Sequence, residues 1–218
     1  MAPLLCLGIL ISVSYSLVFN DESVEIAEVD SIPSLELKPF VSIEGTKYLR
    51  ANVTTPETRN RSFSSGAQYN PGEVRNIVFL DSETLSQHKL YATNTTVIIN
   101  TLGYPRTGTA TDQYNPSIQG DDTVTQWIVY QVVKEDSNKD GRQNSDDLRT
   151  IAISDVSGFN YSELLDGISE VNGMTMVNPG QLIVVYEEGE IYKVSFLDLE
   201  NRAIIDTEEI VSIDTETQ

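Results

Sequence analysis

The chain has 218 residues and a formal net charge of −19, with 14 lysines and arginines against 33 aspartates and glutamates. Because binding to phosphate backbones relies on clusters of lysine and arginine, this balance excludes nucleic acid as the expected partner. Hydrophobic residues make up 39% of the chain, enough for a core, which excludes wholesale disorder. We therefore expect an acidic folded domain that is suited to holding divalent cations.

An uncharged, mostly apolar run occupies residues 2–19, and Asn20-Asp21-Glu22 follows it at once. Its length lies at the lower limit for a membrane-spanning helix, so the run predicts one N-terminal hydrophobic helix that acts as an anchor or an export signal. Ser14-Tyr15-Ser16 offers a small-x-small cleavage site, which leaves both an uncleaved anchor and a cleaved signal open. A buried core helix is the remaining alternative.

The predicted division of the chain has three parts. Residues 1–19 are the membrane anchor or signal segment, residues 20–33 are an acidic tether, and residues 34–218 are an extracytoplasmic β-domain. We expect a membrane-anchored protein of the cell envelope with this domain on the periplasmic side, or a secreted domain after signal cleavage. The single cysteine, Cys6, lies in the first part, so the exported domain would fold without a disulfide.

Beyond Pro33 the sequence breaks into short apolar stretches that are rich in Val, Ile, Tyr and Phe and bounded by Gly, Asn, Asp or Pro. This pattern predicts β-strands. The predicted strands are 35–43, 47–53, 74–80, 96–100, 127–133, 150–154, 174–177, 182–186 and 191–197. Residues 161–168 could form a short helix at most, so we expect an all-β domain.

Two long polar segments, residues 54–72 and 103–123, interrupt the predicted strands. Both exceed the length of ordinary loops, so they are expected to be mobile surface loops or a functional face. Tyr69, Tyr104 and Tyr114 would be the contact residues of such a face. The sequence therefore offers these two segments, or an exposed strand edge, as the surface on which another envelope protein would dock.

The most specific motif of the chain is D-S-N-K-D-G-R-Q-N-S-D-D, residues 136–147. Oxygen-bearing side chains fall at positions 1, 3, 5, 9 and 12, and Gly141 at position 6 permits the sharp turn that brings both halves of such a loop onto one Ca²⁺ ion. The predicted ligands are the side chains of Asp136, Asn138, Asp140, Asn144 and Asp147, with Asn144 acting directly or through water, and the backbone carbonyl of Arg142. The alternative is a hairpin turn that binds nothing, since Asp and Asn favour turns.

The loop resembles those of dockerin domains, in which aspartate stands at position 12, here Asp147, where an EF-hand has glutamate. An apolar residue follows, here Leu148. The resemblance ends at the flanks, because residues 127–133 and 149–154 predict strands, whereas dockerin and EF-hand loops run into a helix. We therefore expect the loop to join the strands of a β-hairpin and to hold Ca²⁺ as a structural cofactor.

A weak internal repeat is present, in which an apolar strand ends at an aspartate that opens a turn. The three aspartates are Asp81, Asp155 and Asp198. The stretch Asp155-Val-Ser-Gly158 resembles the TolB-type β-propeller repeat, in which a strand runs into Asp-x-x-Gly. The resemblance implies a propeller-like or open β-sheet arrangement of about three blade-like units over residues 74–210. Since a propeller needs at least four blades to close, we expect an open arrangement, a β-sandwich or part of an oligomer.

The order of these features resembles membrane-anchored envelope proteins of Gram-negative bacteria, in which a strand meets an Asp-x-Asn-x-Asp-Gly loop and a TolB-like unit follows. That resemblance implies a location and an architecture but no activity. The expected function is a non-enzymatic, calcium-stabilised binding or structural module. The alternative is a glycosidase-like envelope hydrolase with paired carboxylates. His88, the only histidine, would have to serve any Ser-His-Asp triad, and we expect it to be an exposed surface residue instead.

Overall fold

The computed structural model describes residues 34–62, 66–70, 72–105 and 124–210. Every regular element in these ranges is a β-strand, so the predicted all-β class is confirmed for the described residues. The predicted N-terminal helix and acidic tether lie outside them, as do Tyr114 and most of the second polar segment. A search of the described residues for a helix long and apolar enough to cross a membrane finds none.

The strands form three antiparallel sheets. In chain order they are β1 (Glu36–Leu37), β2 (Val41–Ser42), β3 (Tyr48–Thr54), β4 (Thr58–Ser62), β5 (Gly66–Asn70), β6 (Val74–Asp81), β7 (Gln87–Lys89), β8 (Val97–Pro105), β9 (Thr125–Val133), β10 (Arg149–Asp155), β11 (Ser162–Ile168), β12 (Glu170–Asn178), β13 (Gln181–Glu188), β14 (Ile191–Asp198) and β15 (Ala203–Glu209). The larger sheet has nine strands in the order β1-β3-β6-β8-β9-β10-β11, with β2 beside β3 and β7 beside β6. The second sheet is β12-β13-β14-β15, and β4 pairs with β5.

Three sequence predictions of local structure are wrong. The single strand expected over 35–43 is split into β1 and β2, since Pro39 between them has no N–H to donate to a strand ladder. Residues 161–168, the one stretch where the sequence allowed a short helix, instead contain strand β11, which pairs with β10 with two register shifts. The first polar segment, expected to be a loop, contains the hairpin β4–β5.

The central strands β9 and β10 are buried on both faces of the larger sheet. Successive side chains of a strand point to opposite faces, so Trp127 and Val129 enter one core while Ile128, Tyr130 and Val132 enter another. The first core lies between β9–β11 and the four-stranded sheet, whose buried side chains include leucine and methionine residues of β12, β13 and β14. Burial on both faces makes the β9–β10 hairpin the most deeply enclosed part of the described fold.

The second core forms because the larger sheet folds over on itself. Ile77 and Phe79 of β6 pack with residues of β9 and β10, although β8 lies between β6 and β9 in the strand order of this sheet. Among the described residues β6 and β8 share a single ladder pair, Val74 with Ile98. We call this junction of β6 and β8 the seam. Beside it, the buried side chain of Asn76 donates hydrogen bonds to the carbonyl oxygens of residues 91 and 93, each 2.9 Å long.

The three aspartates of the predicted repeat each end a strand, namely β6, β10 and β14. The first two belong to the one nine-stranded sheet, which does not close, and the third belongs to the four-stranded sheet. The part of the fold expectation that holds is therefore an all-β arrangement of open antiparallel sheets.

Candidate calcium loop

The predicted calcium loop joins the two central strands of the larger sheet. Val133 at the end of β9 is paired with Arg149 at the start of β10, and the ladder continues without a register shift to Trp127 and Asp155. Residues 134–148 therefore form a loop whose two ends are held side by side. The expectation that the loop lies in a β-hairpin, and not before a helix, is confirmed.

The first half of the loop is wound by side-chain oxygens that accept backbone hydrogen bonds. Asp136 accepts from the N–H groups of Asp140 (3.1 Å) and Gly141 (2.8 Å). Asn138 Oδ1 accepts from Asp140 N–H at 2.9 Å, and Asp140 Oδ1 accepts from Arg142 N–H at 2.8 Å. These Asx turns coil the backbone around the side chains at positions 1, 3 and 5.

Gly141 adopts the left-handed conformation that position 6 of the motif requires, with φ of 86°. Nothing lies within 4 Å of where its Cβ would be, so the need for glycine comes from the backbone conformation and not from a lack of space. Lys139, at position 4, is also left-handed, with φ of 62°. The backbone turns twice within three residues and thereby directs the first half of the loop back toward Asp136.

Asp147 holds the two halves of the loop together from a position that solvent does not reach, with 1% of its surface exposed. Its Oδ1 accepts from Ser137 N–H (2.8 Å), Ser137 Oγ–H (3.1 Å) and Asn138 N–H (3.2 Å). Its Oδ2 accepts from Asn144 N–H at 2.9 Å. The residues that cover it belong to the same surface loop, so Asp147 is enclosed by the loop and not by the core.

The structure brings the six predicted ligands into one compact loop, but their roles are unequal. Asn144 Oδ1 accepts from Asp146 N–H at 2.7 Å, and Arg142 contributes its N–H to Asp140. Both oxygens of Asp147 are engaged with donors of the loop itself. Within the described residues no three acidic, histidine or cysteine side chains form a group that could hold a metal. Coordination would therefore depend also on the amide and carbonyl oxygens that Ca²⁺ accepts.

Two residues that the sequence did not indicate, Ser137 and Gln143, fasten the loop. Ser137 Oγ accepts from Leu148 N–H at 2.8 Å while its own proton goes to Asp147. Gln143 donates to Val133 O at 2.9 Å and accepts from Arg75 of β6 at 2.8 Å, which ties the loop to a neighbouring strand. Positions 2 and 8 of the motif belong to no ligand pattern, so no signal in the sequence indicates either residue.

Replacing Asp147 with Asn is expected to destabilise the protein with or without calcium. Desolvation raises the pKa of Asp147, but hydrogen bonds from the N–H groups of Asn144, Asn138 and Ser137 outweigh it, and the pKa lies below its usual value. The asparagine side chain would turn an NH₂ group toward these donors, at a cost of about 2 kcal/mol or more. Urea unfolding of both proteins at pH 7 measures the difference.

The same substitution has a defined pH dependence. Because the pKa of Asp147 is lowered in the folded state, its stabilisation is present above the unfolded-state value of about 3.9 and is lost as the pH falls through the folded-state value. The gap between the wild type and Asp147→Asn should therefore shrink when the pH falls below about 4. Equal stabilities at pH 7 would show that the carboxylate does not hold the loop.

His88 is not the exposed surface residue that the sequence predicted. It lies in β7, and its ring is stacked between Phe159, with ring centres 3.8 Å apart, and Phe79, at 5.6 Å. Its Nε2 is buried, and no hydrogen-bond partner occurs for it among the described residues. The polar residues next to His88 in the sequence suggested exposure. The contact with Phe159 could not be predicted, because Phe159 lies in a turn far along the chain. The arrangement places His88 in an aromatic stack and not beside a nucleophile.

Replacing His88 with Phe is expected to make the free energy of unfolding less sensitive to mildly acid pH than it is in the wild type. Burial lowers the pKa of His88, so the folded protein binds its proton less readily than the unfolded chain does. The wild type should therefore lose stability relative to His88→Phe as the pH falls from about 6.5 to the lower folded-state value. Denaturant unfolding of both proteins from pH 8 to pH 5 measures it, and parallel curves would contradict the prediction.

The tyrosines expected to form a contact face lie in strands where the structure describes them. Tyr104 belongs to β8 and packs, partly buried, against the first core. Tyr69 belongs to β5. Tyr114 is outside the described residues. The described part of the chain thus offers no loop that presents these side chains together.

No protein-family model and no curated protein matches the chain. Among solved structures it is similar to the β-propeller domain of the Trilobed protease from Pyrococcus furiosus, which is reported to have an open velcro topology. The two share 12% sequence identity with a TM-score of 0.38, over 81% of this chain and 43% of that one. This chain thus spans less than half of that structure, and so weak a likeness carries no argument about function.

Proposed function

We propose that the chain is a non-enzymatic, calcium-stabilised β-domain that serves as a binding or structural module of the cell envelope. The observation that carries the proposal is the winding of residues 136–147. Side chains at positions 1, 3, 5, 9 and 12 all turn toward the backbone of their own loop, and position 6 is a left-handed glycine. This is the sequence order in which a calcium loop places its oxygens.

The loop's place in the fold gives the ion a physical task. Asp136, Asp140, Asp146 and Asp147 put four carboxylates into one short loop, and without a cation they repel one another. The repulsion acts at the loop end of the β9–β10 hairpin, whose strands line both cores. Ca²⁺ would neutralise it and hold Val133 against Arg149. Because metal binding adds to folding free energy, the ion would stabilise the sheet around this hairpin.

The affinity expected of such a site indicates a structural role. Extracellular calcium modules bind with Kd of about 10⁻⁴–10⁻³ M, a range that suits a constantly loaded ion and not a signal. We further propose that the domain lies on the periplasmic side of the membrane, held by residues 1–19, and that its sheets form an open, propeller-like arrangement related to TolB-type repeats. The four-stranded meander β12–β15 has the make-up of one propeller blade.

Thermal unfolding with calcium and with a chelator tests the proposal. A melting temperature that rises with calcium supports the stabilising role, and the rise must depend on the predicted ligands. Identical melting under both conditions would leave the loop as a hydrogen-bonded hairpin turn without a cofactor.

A further inference from the structure

A pocket of about 240 Å³ opens on the side of the larger sheet that faces the second core. It is lined by Ser42, Ile43, Glu44, Arg50, Gly103, Thr125 and Ile128. These residues come from four different strands and one turn, so the pocket depends on the folding of the sheet and not on a local loop. It lies apart from the candidate calcium loop and is used by none of the functions described above.

Arg50 is the unusual residue of this pocket. It is half-buried in β3, yet it makes no hydrogen bond or ion pair with any of the described residues. In contrast, Lys47, Lys134 and Arg202 each contact a carboxylate. Burial lowers the pKa of Arg50, because the guanidinium has been withdrawn from water without a compensating carboxylate in the described part of the chain. Its ordinary pKa is so high that the side chain stays charged at neutral pH.

The pocket wall beside Arg50 is held in place by backbone contacts. The N–H of Thr125 donates to Glu44 O at 3.2 Å, which fastens the β2–β3 turn to the start of β9. Gly45 in that turn has φ of 72°, and a Cβ there would lie 2.8 Å from the Cα of Val124. Thr46 Oγ–H donates to Ile43 O at 2.8 Å within the same turn. The turn is therefore fixed against β9, and these contacts hold the wall of the pocket in a defined position.

We propose that this pocket binds a small organic monocarboxylate, whose carboxylate pairs with Arg50. A guanidinium presents a planar fork of N–H donors that matches a carboxylate, and the pair gains strength where water is partly excluded. The hydroxyl groups of Ser42 and Thr125 supply further donors in the pocket lining. Ile43 and Ile128, both largely buried, form the small apolar part of the lining, so only a short carboxylate would fit.

The charge around the pocket selects a monoanion over a dianion. Of the described residues that line it, Arg50 is the one cation, and Glu44 contributes a carboxylate to the same lining. The chain as a whole carries a net charge of −19, which repels anions of higher charge more strongly. Phosphate and sulfate dianions would therefore bind less well than a carboxylate of the same size.

The test is an NMR titration of the full, ¹⁵N-labelled chain with butyrate, following the Arg50 Nε–Hε signal at constant ionic strength. We expect a saturable shift in the range of about 1–10 mM. Butyramide, the uncharged analogue, and sulfate should shift it far less. Arg50→Gln should weaken binding, read from backbone amides of the pocket, by about tenfold or more. Lys89→Gln is the matched control, since Lys89 is an exposed cation on β7, and it should leave binding unchanged.

Three outcomes of the titration would overturn the proposal. These are no saturation with butyrate, equal shifts with butyramide, or equal shifts with sulfate, which would indicate an adventitious ion only. If Arg50→Gln does not fold, Gly103→Val replaces it as the test. A Cβ at Gly103 lies 3.1 Å from the Cγ2 of Thr125, so this variant narrows the pocket and keeps the charge. Full binding by Gly103→Val would contradict the site. Tighter binding of a peptide with a free C-terminus than of its amide would support the pocket and identify chain ends as the carboxylate source.

Discussion

Calcium is expected to raise the melting temperature of the chelator-treated protein by roughly 3 to 10 °C. An ion at 10 to 100 times its Kd stabilises the folded state by about 1.4 to 2.7 kcal/mol. For a domain of this size each kcal/mol raises the melting temperature by about 2 to 4 °C. With a Kd of about 10⁻⁴–10⁻³ M, a calcium concentration of about 10 mM reaches this range. Differential scanning calorimetry in calcium, in EDTA and in magnesium measures the effect.

Asp140→Ala is expected to abolish the calcium-dependent part of this rise. Asp140 is exposed at position 5, and of its two oxygens Oδ1 binds Arg142 N–H. Its removal should therefore cost little in EDTA and much of the response in calcium. Asp146→Ala is the matched control, because it removes the same charge from an exposed position of the same loop that is not a predicted ligand.

The pair of variants separates ion coordination from charge screening. If Ca²⁺ is coordinated, Asp146→Ala keeps most of the response while Asp140→Ala loses it. If both variants lose it equally, or if magnesium acts as well as calcium, the ion merely screens the carboxylates. A wild type whose melting temperature is the same in calcium and in EDTA would refute the calcium-stabilised domain altogether.

Gly158→Ala is expected to destabilise the protein by about 2 to 4 kcal/mol. Gly158 follows β10 with φ of 82°, where an alanine is strained by about 1 kcal/mol or more. Its Cβ would also overlap the ring of Phe79, with the Cγ atom only 2.8 Å away. Phe79 is almost fully buried in the second core and stacks on His88, so the ring has no space to move aside. Overpacking of such a site costs about 1 to 3 kcal/mol in addition.

Gly167→Ala separates the two contributions. Gly167 lies in β11 with φ of 72°, but nothing lies within 4 Å of its Cβ position. This control should lose only the conformational part, about 1 kcal/mol. Urea unfolding of both variants measures the difference. Equal losses would show that the turn after β10 accommodates a methyl group and that Phe79 is not held as described.

The strands that could be predicted from sequence are those whose apolar residues are buried. β6, β9, β10, β13 and β14 alternate or run apolar, and each contributes to a core. β15 could not be predicted in this way, because all its residues are exposed. Its two isoleucines therefore do not form part of a buried face. The sequence left a short helix open at β11, and pairing with β10, which the sequence does not indicate, decides its conformation.

The candidate loop was predictable because its chemistry is local. Gly141 and the Asx residues act within a few positions of one another, so the spacing alone indicates the turn. The contacts that sequence could not indicate join distant positions. Arg75 reaches Gln143, Phe159 stacks on His88, and Arg50 lines a pocket with residues of β8 and β9. These contacts depend on how distant strands come together in the folded sheet, and no short stretch of sequence indicates them.

Few backbone hydrogen bonds join β6 to β8, so the seam between these two strands divides the larger sheet into two parts. A single ladder pair, Val74 with Ile98, joins the two strands, and the side chain of Asn76 bonds to the segment that precedes β8. Elsewhere the first half, β1–β3 with β6 and β7, is held to the second by side-chain packing, by the backbone hydrogen bond from Thr125 to Glu44 and by the hydrogen bond from Arg75 to Gln143. Sub-global opening would follow this line, since regions with few shared backbone hydrogen bonds open most readily. Such opening would leave the β9–β10 hairpin and its loop paired, and it would break the hydrogen bonds from Thr125 to Glu44 and from Arg75 to Gln143.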